Sequence, residues 1–345
     1  MTTHSGMDRI TLHVGDRAVR LDDGLLALGS TAAEFDVVDW GQDVVALRAV
    51  DTGRYVGADD TGALVADRDG PGGWVVRETF RLHHRPDGTA LLHHLASGRH
   101  VGVTPDGRLS VATGDPAVFT VTLLVDGAAA RRAAAGADVA VVVLGNHPMV
   151  NGRETEDRAD LALPTGQAEL LRAVHAANPR TVLALTSSYP YAVGWAQSTP
   201  AVLWSAHGGQ EHGNGLADVL LGAADPGGRL TQTWYADAAE LPDLLDYDVI
   251  GADATYLYHR GEPLYPFGHG LSYATFDYAD LRLSTTTARA GEEVEVSVEV
   301  TNTGRRPGTE VVQLYTRQRR SRAGQPLRQL RDFARVTLDP SCAAG

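Results

Sequence analysis

Residues 140–164 read AVVVLGNHPMVNGRETEDRADLALP, and the rest of the chain is organised around this stretch. It opens as an apolar, β-branched run that predicts a buried strand, and Gly145-Asn146 ends the run. A helix is expected beyond Pro164. Because catalytic residues of α/β folds gather on loops beyond the carboxyl ends of strands, the intervening loop is the first candidate site. Its ionisable side chains are Glu154, Glu156, Asp157, Arg158 and Asp160.

The side chains of this loop favour proton transfer. The loop is rich in carboxylates and lacks a cluster of metal-ligand residues. Cleavage of a glycosidic bond needs a carboxylic acid as proton donor, and usually a second carboxylate as base or nucleophile. An acidic loop is also typical of a solvated surface segment in which the arginine pairs with a neighbouring acid. The residue types alone leave both interpretations open.

The composition excludes several classes of protein. The 345 residues suggest two or three domains, and the net charge of 30 − 43 = −13 argues against nucleic-acid binding, which needs clustered Lys and Arg. Cys342 is the only cysteine, so an intrachain disulfide is impossible. The sequence has neither a Gly-x-Ser-x-Gly elbow nor a Gly-x-Gly-x-x-Gly loop. The N-terminal residues lack the apolar core of a signal peptide, and no segment predicts a membrane span, so we expect a cytoplasmic protein.

Residues 8–125 are β-rich and contain a repeat. TGRYVGADDTGALVAD (52–67) aligns with SGRHVGVTPDGRLSVA (97–112) at an offset of 97 − 52 = 45, and a weaker third copy has its turn at Asp23-Gly24. Each turn precedes a strand with a phenylalanine: Phe35, Phe80 and Phe119. Three such units predict a β-trefoil, and the Gly-Arg-Tyr-Val type of strand resembles the fascin-like trefoils. The pairs His83-His84 and His93-His94 are predicted to be surface or packing residues, so we expect no metal site.

The next region alternates helices and strands. GAAARRAAAG (127–136) predicts a helix, and the apolar run 139–144 predicts a strand buried on both faces of a parallel sheet. Thr165 is expected to cap a helix that runs to Ala177. TVLAL (181–185) and AVLW (201–204) predict two more strands, and Leu216, Val219 and Leu220 predict the buried stripe of a further helix, which Gly222 stops. This order predicts an α/β sandwich.

The end of the chain changes to strand-type alternation. EVEVSVEVTNTG (293–304), EVVQLY (310–315) and residues 327–338 predict strands of a small β-sandwich of the fibronectin type III kind. The sandwich is expected to be truncated. Because missing strands leave an exposed edge, we predict self-association or poor solubility.

The string NGRETEDRADLALP resembles the acid/base loop of family 3 glycoside hydrolases, which include β-glucosidases and β-xylosidases. The Glu-x-x-Asp-Arg pattern of that family falls on Glu154, Asp157 and Arg158. The resemblance implies that Glu154 is the general acid/base and that Asp157 and Arg158 hold the loop. The segment AHGGQEHGNGLADVLLGAADPGGRL matches the Gly-Gly-Gln-Glu loop of the family, and LYPFGHGLSY (264–273) matches another family string. Arg158, Gln210 and Glu211 are therefore predicted substrate-binding residues, although the residue type of Glu211 favours a cap of the next helix, because acids are favourable at a helix N-terminus.

The resemblance also implies a domain order. We predict a multidomain chain with a fascin-like β-trefoil (8–125), an α/β sandwich without its first strands (126–276) and an incomplete fibronectin type III-like β-sandwich (277–345). In the family the nucleophilic aspartate lies on a (β/α)₈ barrel, for which this chain has no room. We therefore expect the C-terminal part of a retaining β-glycosidase that supplies the acid/base, needs no cofactor and is inactive alone.

The predicted partners follow from the same interpretation. They are a β-linked oligosaccharide or glycoside, such as a β-glucoside or β-xyloside, and a separate (β/α)₈ barrel chain; neither nucleic acid nor membrane is expected. The alternative function is a non-catalytic module that binds carbohydrate or protein, with Glu154 as a relic. Affinity for polysaccharide without turnover would favour the module.

Overall fold

The computed structural model describes residues 8–41, 43–125, 127–148, 150, 158 and 160–341. It divides the chain into two compact units, residues 1–207 and 208–345. The boundary between the two units lies after residue 207 and differs from both predicted domain boundaries, after residues 125 and 276. The predicted domains stay predictions. Within the described residues, no helix has both the length and the apolar character that crossing a bilayer requires.

The first part of unit 1 is built from strands alone. Thirteen strands lie in the described part of residues 8–125: β1 (Asp8–Val14), β2 (Arg17–Asp22), β3 (Leu25–Gly29), β4 (Phe35–Gly41), β5 (Val44–Ala49), β6 (Tyr55–Ala58), β7 (Leu64–Arg68), β8 (Phe80–His84), β9 (Thr89–His94), β10 (Arg99–His100), β11 (Gly102–Val103), β12 (Leu109–Ser110) and β13 (Phe119–Val125). We call this part the β module.

Six strands of the β module close into a ring. Antiparallel pairing runs from β1 to β4, β5, β8, β9 and β13, and β13 pairs with β1 again. Three hairpins lie outside this ring, β2–β3, β6–β7 and β11–β12. Closure leaves no free edge on the ring, which removes the usual site of strand-to-strand aggregation.

The three hairpin turns are linked in a cycle. Their glycines have positive φ, a conformation that glycine adopts without steric cost: Gly24 (83°), Gly62 (86°) and Gly107 (87°). Each glycine carbonyl accepts a backbone hydrogen bond from the next hairpin in the cycle: Ala66 N to Gly24 O (2.7 Å), Val111 N to Gly62 O (2.8 Å) and Leu28 N to Gly107 O (2.8 Å). The weak first copy of the sequence repeat is thus structurally equivalent to the other two.

The core of the β module repeats with the same threefold pattern. Two residues after each turn glycine comes a leucine that is at most 1% exposed: Leu26, Leu64 and Leu109. The three phenylalanines singled out in the sequence, Phe35, Phe80 and Phe119, are fully buried in the same cluster. The apolar positions of the repeat therefore fill one shared core.

The second part of unit 1 is a small α/β layer. Its elements are α1 (Ala128–Ala135), β14 (Ala140–Gly145), α2 (Thr165–Ala177), β15 (Thr181–Thr186) and β16 (Ala201–Ser205). The three strands are parallel in the order β14-β15-β16, as the sequence predicted. Asn178, at the end of α2, donates to the carbonyls of Ala134 (3.0 Å) and Ala137 (2.8 Å) and so ties the end of α1 to the layer.

Two details of the sequence prediction are wrong. β14 is buried on one face only, because Val141 and Val143 are 44% and 59% exposed while the alternating residues Ala140, Val142 and Leu144 are buried. An unbroken apolar run does not distinguish burial on one face from burial on two. Thr165 is the first residue of α2 rather than its cap, since Pro164 occupies the N-cap position.

Unit 2 begins with short helices and ends in strands. Its main elements are α3 (His212–Leu220), α4 (Thr255–Tyr258), β17 (Phe276–Leu283), β18 (Val296–Asn302), β19 (Gly308–Thr316) and β20 (Gln329–Leu338). Antiparallel pairs form between β17 and β18 and between β19 and β20. The predicted apolar stripe of α3, which includes Leu216 and Val219, is only partly buried within the described residues.

Two polar residues, the half-buried Asp225 and the buried Asn302, connect segments of unit 2 through hydrogen bonds. Asp225 accepts hydrogen bonds from Ser272 Oγ (2.7 Å), Tyr273 N (2.8 Å) and Thr309 N (3.0 Å). Burial alone would raise the pKa of Asp225, but these hydrogen bonds favour the ionised form and hold the pKa below its usual value. Asn302, 1% exposed, anchors the Asn-Thr-Gly turn by donating to the carbonyl of Leu338 at 2.9 Å.

Candidate functional site

The carboxyl ends of the three parallel strands deliver polar side chains to one edge of the sheet. Ser187 follows β15, and its hydroxyl accepts from Trp204 Nε1 at 2.9 Å and donates to the Tyr189 carbonyl at 2.8 Å. Asn146 follows β14, and its side-chain oxygen accepts from Ser188 N at 3.1 Å. These bonds cross-link the loops after β14 and β15 to a residue of β16. A network of hydrogen bonds therefore lies at the edge of the sheet at which the sequence predicted the site.

The exit of the chain from β14 is fixed by a glycine and a glutamine. Gly145 has φ of +152°, and a Cβ at this position would lie 1.7 Å from the Thr186 carbonyl oxygen. Gln167, in the first turn of α2, accepts from Gly145 N at 2.9 Å and donates to Gly145 O at 2.8 Å. The start of the acidic loop is thus tied to the helix that follows the loop.

Arg158 lies against the loop that follows β15. Its guanidinium carbon is 3.6 Å from the centre of the Tyr189 ring and 5.1 Å from that of Tyr191, and Nη1 donates to the Pro190 carbonyl at 3.0 Å. Burial lowers the pKa of Arg158 and raises those of both tyrosines. This cation–π arrangement suits a side chain that holds the loop. Its predicted contact with substrate stays a prediction.

Other predicted members of the loop differ in what can be said of them. Glu154, Glu156 and Asp157 lie outside the described residues. Asp160 is exposed, and its carboxylate accepts from Ala162 N at 2.9 Å. Leu161 and Leu163 are buried, so the chain is packed again where it approaches α2.

Gln210 and Glu211 belong to unit 2. They are exposed in a short 3₁₀ helix, Gly209–Glu211, that leads into α3. Glu211 occupies the N-cap position of α3, as the alternative interpretation expected. Within the described residues its carboxylate accepts from Asn214 Nδ2 at 2.6 Å and makes no capping bond to the helix backbone. Glu211 thus lies at the predicted cap position, but the prediction is wrong in so far as it implied a hydrogen bond from the helix backbone to this side chain. Substrate binding by Gln210 or Glu211 stays a prediction.

A cleft of about 1270 Å³ lies within unit 1 beside this edge. It is lined by Asn146, Arg158 and Asp160 from the α/β layer and by Asp39 and Trp40 from β4. Sequence reasoning missed the contribution of β4, because no local motif marks it. It also missed Asn146, Tyr189 and Tyr191, although their position directly after predicted parallel strands was a usable signal.

The ring of His147, which follows Asn146 at this edge, has a pKa that its surroundings shift. Burial, with His207 nearby, lowers the pKa of His147, so its ring is neutral near pH 7. Within the described ranges, no group of three or more His, Cys, Asp or Glu side chains is arranged to hold a metal ion.

Two family models match the chain. Residues 36–273 match the glycosyl hydrolase family 3 C-terminal domain, and residues 310–344 match a fibronectin type III-like domain. The first match includes the acidic loop, most of the β module and the first part of unit 2. The second falls on the last two of the three strand stretches predicted for the β-sandwich.

Curated relatives are similar over part of their length. The chain is 39% identical to a probable β-glucosidase I of Aspergillus terreus over 231 residues, which are 62% of this chain and 27% of the relative. It is 38% identical to a β-xylosidase of Formosa agariphila over 212 residues, 60% of this chain and 29% of the relative. The chain thus spans less than a third of the length of these relatives.

Solved structures give a similar result. A GH3 β-glucosidase of Bifidobacterium adolescentis is 32% identical with a TM-score of 0.56, over 62% of this chain and 33% of that one. The β-glucosidase DesR of Streptomyces venezuelae has a TM-score of 0.62 over 97% of this chain and 43% of that one. At 24% identity the second likeness concerns the fold alone.

Proposed function

The chain belongs to the glycosyl hydrolase family 3 C-terminal domain family, and we propose that it is the C-terminal part of a retaining β-glycosidase. Its substrates are terminal β-linked sugars, such as β-glucosides or β-xylosides. The support is the match of the Glu-x-x-Asp-Arg loop, together with a β-glucosidase and a β-xylosidase at 38–39% identity. The single observation that carries the proposal is the position of Arg158, the last residue of this pattern, beside the polar edge of the parallel sheet.

The loop residues Glu154 and Arg158 have different roles in this proposal. Glu154 is the general acid that protonates the glycosidic oxygen, and it then acts as the base that activates water. Arg158 positions the loop through Tyr189 and the Pro190 carbonyl, and it also contacts the sugar. Gln210 and Glu211 are further substrate-binding residues of the proposal. The nucleophilic aspartate comes from a (β/α)₈ barrel. A free acid at Glu154 needs a raised pKa, which packing against that barrel supplies.

We further propose that the β module is a fascin-like β-trefoil inserted in the α/β domain. Three observations support this assignment: the closed ring of six strands, the three hairpins outside it and the cycle of hydrogen bonds between their turns. The inserted position agrees with a family match that begins at residue 36, within the β module, and continues through the α/β layer.

The test combines this chain with a separately produced (β/α)₈ barrel domain of a family 3 relative. Chromogenic β-glucosides and β-xylosides are the substrates. We expect no turnover by this chain alone, turnover by the mixture, and a loss of about 10²- to 10⁴-fold in Glu154→Gln. Glu156→Gln is the matched control, because it removes a carboxylate two positions away and is expected to retain activity.

Two results would contradict the proposal. Equal activity of Glu154→Gln and Glu156→Gln would remove Glu154 from the reaction. Turnover by the chain alone that depends on Glu154 would show that this chain provides its own second carboxylate. Binding of polysaccharide with no turnover in any mixture would favour the non-catalytic module instead.

A further inference from the structure

Trp40 connects the β module to the segment that precedes Glu154. Trp40, on β4, meets His147 edge-to-face with ring centroids 5.4 Å apart. Trp40 also packs against a buried cluster of Val44, Val76 and Val150. His147 and Val150 lie after β14, a few residues before Glu154. The start of the acidic loop, at His147 and Val150, is thus packed on the β module.

Asp39, the residue next to Trp40, holds the helix that follows the acidic loop. Asp39 Oδ2 accepts a hydrogen bond from Gly166 N at 3.0 Å, across 127 positions of sequence. Gly166 N is one of the unpaired N–H groups at the start of α2, and Pro164 at the N-cap has no side-chain acceptor for it. Asp39 therefore caps α2 from another part of the fold, and its negative charge is favourable at a helix N-terminus.

Asp39 is itself fixed in place. Its second carboxylate oxygen, Oδ1, accepts from Gly41 N at 2.8 Å within the same strand end. Val44 and Val76, the partners of Trp40, are 7% and 5% exposed and belong to the β module. The two contacts thus come from the end of strand β4, which packs against buried valines of the β module, rather than from a surface loop.

We propose that the β module positions the acid/base loop, with Trp40 and Asp39 as positioning residues that hold its two ends. The inference rests on the proposed role of Glu154. Neither residue touches the reacting atoms in this scheme. Trp40 holds the segment that precedes Glu154 through His147, and Asp39 holds the start of the helix that follows it. Orientation of a catalytic group is a large part of its contribution to rate.

The first test measures kinetics in the mixture with the barrel domain. Trp40→Ala and Asp39→Ala are expected to lower kcat at least 10-fold on aryl β-glycosides with poor leaving groups, with KM changed less than threefold. They are expected to spare kcat/KM for 2,4-dinitrophenyl glycosides, because the leaving group of these substrates needs little protonation when the glycosyl–enzyme forms. A purely structural role would lower kcat/KM on both substrates equally.

Matched variants sharpen the comparison. Asp39→Asn keeps an oxygen acceptor for Gly166 N, and Trp40→Phe keeps an aromatic ring, so both are expected to recover most of the lost rate. Trp74→Ala removes the same side chain type from the same module, at a position that is 72% exposed, and is expected to leave kcat unchanged. Equal loss in Trp74→Ala and Trp40→Ala would overturn the proposal.

The second test needs no activity and separates this inference from the proposed function. Hydrogen exchange of the full chain alone is compared between the parent and Trp40→Ala. Faster exchange is expected for amides 146–166, with the strands of the β module still protected. Unchanged exchange there would overturn the positioning role. Faster exchange combined with a fully active Glu154→Gln would keep the contact and reject the acid/base assignment.

Discussion

At the residue scale, Gly145 determines the direction in which the acidic loop leaves the sheet. Its φ of +152° and the nearness of the Thr186 carbonyl exclude a side chain. Gly145→Ala is expected to lower the free energy of unfolding of unit 1 by about 2–4 kcal/mol, since it combines backbone strain with a clash. Urea denaturation followed by tryptophan fluorescence measures the change.

The matched control for this prediction is Gly114→Ala. Gly114 lies in the same unit, does not have positive φ, and a Cβ added to it would have no atom within 4 Å. Its substitution is expected to change stability by less than about 0.5 kcal/mol. Equal stability of the two variants would mean that β14 ends differently from the structure described above.

His94 makes the β module sensitive to acid. The ring is 2% exposed; Nε2–H donates to the Arg77 carbonyl at 2.9 Å, and Nδ1 accepts from Ser97 Oγ at 2.8 Å. Burial, opposed in part by the Arg77 carbonyl and assisted by the neighbouring charges of His93 and Arg77, lowers the pKa of His94 below the ordinary value of 6.5. The folded state therefore keeps this ring neutral at a pH at which the unfolded chain binds a proton.

The sign of the effect follows from proton linkage. The contribution of neutral His94 to the free energy of unfolding is fully present above pH 6.5. It is lost as the pH falls from that value toward the lowered pKa of His94, because the unfolded state takes up the proton first. His94→Gln is expected to reduce the difference in urea midpoint between pH 7.5 and pH 5. The exposed His84→Gln serves as control and should keep the parent difference. An unchanged difference in His94→Gln would contradict the prediction.

At the scale of elements, the threefold core of the β module makes a quantitative prediction. Leu26, Leu64 and Leu109 occupy equivalent places after the three linked turns and are each at most 1% exposed. Leu→Ala at each position is expected to cost a similar amount, about 2–5 kcal/mol, as for other buried leucines. Leu123→Ala, at a position that is 56% exposed, should cost less than about 1 kcal/mol.

Chemical denaturation of the four variants tests this equivalence. A leucine whose replacement is tolerated would show that its copy is not part of the shared core. That result would argue against a trefoil, in which the three copies contribute alike.

The same elements show how far sequence reasoning reaches. The strands and helices of the α/β layer were predicted to within a few residues, because apolar runs and Gly or Pro breaks are local signals. The capping of α2 by Asp39 was not predictable in this way, because it joins residues 127 positions apart. The exposed face of β14 was missed because burial depends on what packs against a strand rather than on the strand sequence.

The candidate site shows the same limit. A string of residues identified the loop of Glu154 and Arg158, but the partners of Arg158 lie after another strand, at Tyr189 and Pro190. Proximity at the carboxyl edge of a parallel sheet brings these segments together. Sequence reasoning can name such an edge in advance, whereas the individual contacts require the fold.

At the scale of the whole molecule, the chain matches 27% and 29% of the length of the two curated relatives described above. The described part of unit 1 places a β module, a parallel sheet and a large cleft together, and unit 2 adds short helices and paired strands. In the proposed enzyme, the β module and the sheet position an acid/base carboxyl group for a sugar that is bound mainly by the barrel.

The most direct test of the central claim is a leaving-group series on the mixture with the barrel domain, comparing the parent with Glu154→Ala. The account predicts a loss of about 10²-fold or more for poor leaving groups, little loss of glycosyl–enzyme formation from 2,4-dinitrophenyl glycosides, and recovery of turnover with azide, which needs no general base. A uniform loss across the series without azide rescue, or no loss at all, would contradict the assignment of Glu154 as the acid/base.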